Sequence, residues 1–483
     1  DIVDYFEYSF HGKSYEEIFE ANIYGLDIQE YSVNRTKLLF SLLALEAGED
    51  KYTFDFNLYQ GNSLDFGWKA KIYDFKGFDI ILGNPPYVSA KNLDIKTKEK
   101  LKNWEVCSSG NSDLYIPFFQ VAIENLSENG TLGFITMNSF FKSLNGRALR
   151  EYFKRKQLAF KIIDFGSEQV FKSKNTYTCI CFIQNRNQKF ISYTPSIIER
   201  LNTKHSFKKI YYNLLDSKKG WNLKDNKNIS KIESTGTPFG KLYQTRHGIA
   251  TLKNDIYIFK PVHEDRDYFY LQNGSLFKIE KSICKNIINS NKLSREISIQ
   301  NLEEKVIFPY EHRTKPKLLK EKLLSKNYPE AYKYLKNKRE MLSKRDNGNG
   351  NYENWFAFGR TQSLEKIKNK MFFPKYSDKT PNFIISKDDE LLFYNGLAVI
   401  GSSESDMLIL KKIMESNIFW YYIKTTSKPY SSNYYSLNGN YIKNFGVCDL
   451  DEEEREFVLK ETDQTILDEF FEDKYDIKLT NKN

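Results

Sequence analysis

The chain has 483 residues, room for two or three domains at roughly 150 residues each. Hydrophobic residues make up 40% and aromatic residues 16%, with 33 Tyr and 37 Phe, so the sequence can build large cores and is not generically disordered. The formal charge of +9 excludes an acidic solvating tail protein, and no apolar run approaches the ~20 residues of a membrane span.

Charge is unevenly distributed. Residues 1–90 carry a net −8, residues 91–230 a net +12, residues 301–380 a net +9 and residues 449–483 a net −8. Two basic stretches between acidic ends suit a surface facing a polyanion, although Lys-rich solvated helices would give the same count. The five cysteines (107, 179, 181, 284 and 448) include no Cys-x-x-Cys, and the five histidines form no zinc spacing with them. That sparse, odd set predicts a reduced, cytoplasmic protein without a metal site. Met137 is the first methionine, so an N-terminally shortened chain is expected.

The first half alternates strand and helix signals. Residues 23–27 are a short apolar run ending at Asp27, followed by a helical pattern at Val33, Leu38, Leu42 and Leu45. Residues 56–59 read as a strand closing at Gly61-Asn62-Ser63, and residues 78–82 as a buried strand stopped by Gly83-Asn84-Pro85-Pro86-Tyr87. A helix over 115–126 ends at Gly130, a strand follows at 133–137, a basic helix at 146–153, and further strands at 161–165 and 177–183. This order predicts a parallel, doubly wound α/β sheet. After about residue 190 the patterns shorten and mix. Residues 234–238 read as a linker, and strands are expected at 271–279, 306–309, 370–374 and 397–400. Residues 313–345 form a Lys-rich helical stretch, 346–351 a loop, and 451–473 an acidic closing helix.

The sharpest chemical signal is Asn84-Pro85-Pro86-Tyr87, directly after an apolar strand, where ligands of open α/β sheets bind. Two prolines fix two φ angles and remove two N–H donors, leaving stiff backbone with free carbonyls. The Asn84 side-chain oxygen and the Pro85 carbonyl suit a conjugated exocyclic amine. Accepting from both N–H groups localises the nitrogen lone pair and makes it nucleophilic. Tyr87 offers a flat face to the acceptor ring.

On these residues the chain resembles the amino-group DNA adenine-N6 methyltransferases with the Asn-Pro-Pro-Tyr motif, which use S-adenosylmethionine. The resemblance covers most of the chain and implies a Rossmann-like methyltransferase sheet over residues 1–235. A mixed α+β target-recognition domain (236–448), similar to the TaqI-like C-terminal domain, and an acidic C-terminal helix (449–483) would follow. It implies cofactor contacts from Asp27 and Ile28 to the ribose region, from Asn62 and Ser63 to the adenine, and from Asn84, Pro86 and Phe118 around the pocket. Asn62 stands where the family often has Asp. Phe171, after Gln169-Val170, matches the second aromatic that clamps a flipped base with Tyr87. As ordinary core residues, Phe118 and Phe171 would be equally at home. The family's Gly-rich cofactor loop is not found in residues 1–26, so the resemblance implies a longer natural protein or a partner chain supplying the loop to an otherwise monomeric enzyme.

In the second half, Gly248-Ile249-Ala250-Thr251, the stretch from Phe358 to Ser363 and that from Ser427 to Tyr435 match the recognition domain. Arg360 and Gln362 can make paired bonds to base edges of double-stranded DNA, whereas Lys375, Lys424 and Lys428 suit phosphates or are simply solvated. Enzymes methylating a protein glutamine amide share the four-residue motif, and a specificity module without activity is the non-enzyme alternative. About 200 further residues with basic, aromatic-interleaved segments favour DNA. Some relatives carry a nuclease, but triplets such as Glu49-Asp50-Lys51 assign none here.

Overall fold

The computed structural model describes residues 12–171, 176–311, 316–348, 350–401, 403–427, 429–430 and 434–479. The chain forms two compact units, Asp1–Leu223 and Lys224–Asn483. Both mix helices with sheets, and the molecule is an α/β protein.

In the first unit, α1 (Tyr15–Ala21) opens with a capping box at Ser14, where Ser14 and Glu17 satisfy each other's backbone N–H groups. Strand β1 (Tyr24–Asp27), helix α2 (Glu30–Glu46) and strand β2 (Asn57–Gln60) follow, and β1 pairs with β2 in parallel. The remaining strands are β3 (Phe78–Gly83), β4 (Leu126–Met137), β5 (Leu158–Asp164), β6 (Thr178–Asn187), β7 (Phe190–Pro195) and β8 (Lys208–Tyr211). They form one sheet in the order β3-β4-β6-β5-β7-β8. Helices α3 (Ile95–Leu101), α4 (Tyr115–Glu124) and α5 (Arg147–Lys156) lie between them in sequence.

This sheet is mixed, not all-parallel. β6 runs antiparallel between β4 and β5, while β3–β4 and β5–β7 are parallel. No helix separates β5 from β6 among the described residues, so the chain returns as a hairpin and reverses direction. The core packs Ile116, Phe119 and Ile123 of α4 and Leu149 and Phe153 of α5 against Leu132, Phe134, Ile162, Cys181 and Ile183.

Helix α2 departs from the expected face. Leu38, Leu42 and Leu45 are about half exposed, whereas Val33 and Ala44 are buried and Phe40 stacks on Phe19 with centroids 5.0 Å apart. The seated stripe is therefore 33, 40 and 44, and the leucines point away from it. Ile80 and Leu82 on β3 are also exposed. β1 and β3 each have one free edge among the described residues. Their N-terminal ends stay close, since the Tyr24 and Phe78 rings lie 5.6 Å apart.

In the second unit, Gln244–His247, Leu397–Ile400, Lys370–Phe373 and Ile384–Ser386 form an antiparallel sheet. A second sheet orders Ile258–Phe259, Glu303–Ile307, Cys284–Asn289 and Leu392–Tyr394. The strand expected over 271–279 is a hairpin, Tyr268–Asn273 with Ser275–Glu280, because Gly274 takes a positive φ (77°) at the turn. Residues 234–238 are not a linker. Ser234 ends the helix Asn226–Ser234, and Thr237–Pro238 pair with Gly446–Val447. Gly236 is required there, since a Cβ would meet the Val447 carbonyl oxygen at 2.0 Å. The acidic C-terminal stretch is two helices, Glu452–Lys460 and Gln464–Lys474, and their Val458, Leu467 and Phe471 are buried in this unit's core.

Candidate active site

Asn84-Pro85-Pro86-Tyr87 leaves the carboxyl end of β3, with Pro85 buried and Asn84 and Pro86 exposed. The loop is fastened on three sides. The Tyr87 hydroxyl donates to the Ile135 carbonyl on β4 at 3.2 Å. Leu114 N–H donates to the Val88 carbonyl at 2.9 Å. Ala90 N–H donates to the Asp113 carboxylate at 2.9 Å, which ties the loop to the start of α4. Burial, with the Cys179 and Cys181 thiols nearby, pushes the Tyr87 phenol well above its ordinary range and keeps it a neutral donor. The tetrapeptide is thus a stiff ledge presenting Asn84 to solvent.

The Phe171 ring meets Tyr87 at 6.4 Å between centroids and 62° between planes. This is an edge-to-face contact and not a parallel sandwich, so one ring must turn before a planar base can lie between them. A network that the sequence patterns did not single out holds the loop that leads to Phe171. The Asn138 amide donates to Asp164 Oδ1 at 2.9 Å and to the Gly166 carbonyl at 2.8 Å. Gly166 N–H donates to the same Asp164 oxygen at 3.0 Å, and the Tyr193 hydroxyl donates to Asp164 Oδ2 at 2.9 Å. The loop leading to Phe171 is therefore anchored to the ends of β4, β5 and β7. The signal available in sequence was polar residues at three strand ends, which means little until the strands are neighbours.

Asp27 ends β1 and is exposed. Its Oδ1 accepts from Gln29 N–H at 2.7 Å, and Oδ2 keeps its capacity to accept. The parallel register sets Asp27 opposite Gln60, and Gly61 N–H donates to the Asp27 carbonyl at 2.9 Å. The Asn62-Ser63 turn is thereby placed beside Asp27. Gly61 is dictated by close packing, since a Cβ would lie 2.7 Å from the Phe66 ring. Asn62 Oδ1 accepts from Leu64 N–H at 3.0 Å, so its carbonyl end shapes the turn and its NH₂ end remains to donate. Leu64 is buried with Leu93 and Leu101, and Phe118 packs against that cluster while staying half-buried. Ile28 is 59% exposed. An exposed carboxylate oxygen, an amide donor and apolar surface at adjoining strand ends suit the ribose, base edge and base face of a nucleoside.

Two stretches in the second unit that lie far apart in sequence are brought together. Gly359 and Arg360 N–H donate to the Thr251 and Ala250 carbonyls, at 3.1 and 3.0 Å. The Gln362 amide donates to the Gly248 carbonyl at 2.7 Å. Arg360 pairs with Asp346 at 3.0 Å and bonds the Gly359 carbonyl. Part of the donor capacity expected for base edges is thus engaged within the fold. Lys375 is half-buried over the Tyr376 ring, Lys424 is exposed in the last turn of the helix Asn417–Thr426, and Lys428 lies outside the described residues.

Residues 21–171 match the Eco57I restriction-modification methylase family. The chain is similar to the type II restriction enzyme and methyltransferase RM.Eco57I of Escherichia coli, 28% identical over 395 residues, covering 72% of this chain and 39% of that protein. It is also similar to the type II methyltransferase M.HincII of Haemophilus influenzae, 27% identical over 350 residues, covering 66% of this chain and 63% of that protein. The chain thus spans less than two thirds of either relative. Among solved structures it resembles the type IIL restriction-modification enzyme MmeI, solved in complex with DNA, with a TM-score of 0.64 at 12% identity. That match covers 95% of this chain and 64% of MmeI, and it is a likeness of fold. The chain is similar in sequence to type II restriction-modification methyltransferases, and its residues 21–171 match the Eco57I-type methylase family.

Proposed function

We propose that this chain comprises the methyltransferase and target-recognition parts of a DNA adenine-N6 methyltransferase from a restriction–modification system, working in the cytoplasm. The observation that carries this reading is the braced Asn84-Pro85-Pro86-Tyr87 ledge, with Phe171 beside it. Asn84 Oδ1 and the Pro85 carbonyl accept the two N–H bonds of the adenine amine and draw them out of conjugation. The lone pair is then directed away from the ring. Tyr87 and Phe171 hold the extruded base. S-adenosylmethionine, when bound, supplies the electrophilic methyl group. Asp27 would accept from its ribose hydroxyls, Asn62 and Ser63 would meet its base edge, and Ile28, Pro86 and Phe118 would cover its rings.

The test is methyl transfer to unmethylated duplex DNA, run with this chain and with an N-terminally extended one side by side, with product nucleosides identified by mass spectrometry. N6-methyladenine is expected, and it is lost in Asn84→Ala. Methylcytosine, or methylglutamine in protein with no modified base, would overturn the reading. Sequence-specific duplex binding without any transfer would point to a specificity module.

A further inference from the structure

In the second unit a cleft of about 630 Å³ is lined by residues that include Asn291, Lys292, Arg295, Glu296, Asn301 and Tyr434. Tyr434 belongs to the Ser427–Tyr435 stretch matched to the recognition domain, while the others did not stand out in the sequence. The rim is held rigidly from behind. Leu293 and Leu302 are buried. Asn382 donates its amide to the Leu293 and Glu296 carbonyls at 3.0 and 3.3 Å. Lys375 N–H donates to Asn291 Oδ1 at 2.8 Å. The Glu296 carboxylate accepts from Ile297 N–H, Ser298 N–H and Asn301, which hold it ionised and commit it to its own loop.

What remains to face a ligand is mostly donors, with the Asn301 side-chain oxygen as an acceptor at the edge. Arg295 Nη2 donates to the Tyr434 hydroxyl at 3.1 Å. That bond orients the planar guanidinium and leaves the rest of its fork available. Tyr434, having accepted, keeps its own O–H to donate. Lys292 is exposed alongside. A cleft rich in donors, with the Glu296 carboxylate engaged, complements paired acceptors.

We propose that this cleft reads a guanine in the major groove, with Arg295 donating to O6 and N7 and Tyr434 holding the guanidinium in plane. The inference rests on the DNA-methyltransferase reading and assigns that enzyme a specificity-determining residue. A backbone phosphate presents the same acceptor chemistry. The Tyr434 bond, which biases the guanidinium orientation, favours a base edge, because exposed lysines serve phosphates without such alignment.

The experiment is selection of bound duplexes from a random pool, without methyl donor, for the wild type, Arg295→Ala, Arg295→Lys and Tyr434→Phe. The wild type should enrich a motif containing guanine. Arg295→Ala should lose roughly tenfold or more of the preference at one G·C position while keeping the others. Arg295→Lys should lose the same preference but keep the wild-type salt dependence, since a point charge cannot make the paired bonds. Tyr434→Phe should fall between. Uniform weakening on all sequences, with a shallower salt slope in Arg295→Ala, would make Arg295 a phosphate contact and overturn the proposal. An unchanged motif in Arg295→Ala would overturn it too. Because the selection needs no methyl transfer, it is independent of the mass-spectrometric test of adenine methylation. Failure of that test with an Arg295-dependent motif would unseat the chemistry and leave the cleft assignment standing.

Discussion

Asn84 is exposed at the end of a braced ledge, so its side chain has no structural task visible in the fold. Asn84→Ala should therefore leave the unfolding midpoint and duplex affinity near wild type. Methyl transfer should fall by about 10²-fold or more, the scale of losing one aligned polar contact in a transition state. A comparable loss of DNA affinity, read by fluorescence anisotropy, would show that Asn84 does not act on the amine alone. Asp164 behaves in the opposite way. Its two oxygens serve Asn138, Gly166 and Tyr193, so Asp164→Ala leaves three donors without their partner. A destabilisation of about 2–4 kcal/mol is expected in urea unfolding. The motif at Asn84 was legible because adjacent residues carry it. The Asn138–Asp164–Tyr193 network was not, because its members meet only when β4, β5 and β7 become neighbours.

At the scale of elements, the strand Lys370–Phe373 carries a charge into a core. Lys370 is 2% exposed and donates to the Leu391 carbonyl at 2.7 Å. Burial brings its ammonium down from 10.5 to about 8. Between these two values the unfolded chain keeps the proton that the folded chain has released, so stability rises with pH across that window. Below it, the cost of holding the charge inside amounts to as much as about 3 kcal/mol. Lys370→Met should flatten the stability profile between pH 8 and 10.5 relative to wild type. Parallel profiles from chemical unfolding would show that the ammonium is solvated or fully paired. The strand itself was readable from its apolar run. The α2 stripe was misread because leucines at helical spacing announce an amphipathic helix without saying which apolar residues find a partner. Phe40 stacking on Phe19 decided that. The hairpin at Gly274 and the pairing of Thr237–Pro238 with Gly446–Val447 likewise depend on a positive φ and on a partner about 200 residues away.

At the scale of the whole chain, the acidic and basic blocks make a prediction that requires no particular residue. If the basic stretches face DNA, the logarithm of duplex affinity should fall linearly with the logarithm of salt concentration. A slope of roughly −4 or steeper corresponds to about four or more neutralised phosphates. A flat dependence would remove the polyanion reading for both units.

The sequence by itself determined the Asn84-Pro85-Pro86-Tyr87 turn after a strand, the strand-end acid Asp27 and the alternation that builds an α/β domain. Each of these is local: a few adjacent residues whose backbone limits and side-chain types already restrict what they do. Tertiary structure alone decided that β6 runs antiparallel, that Asp27 and the Asn62 turn lie side by side, and that Tyr87 and Phe171 meet edge to face. It also drew Arg295 and Tyr434 to one cleft from 139 residues apart. These outcomes turn on strand register and on competition among many apolar residues for the same buried positions, which is settled only when the whole core packs.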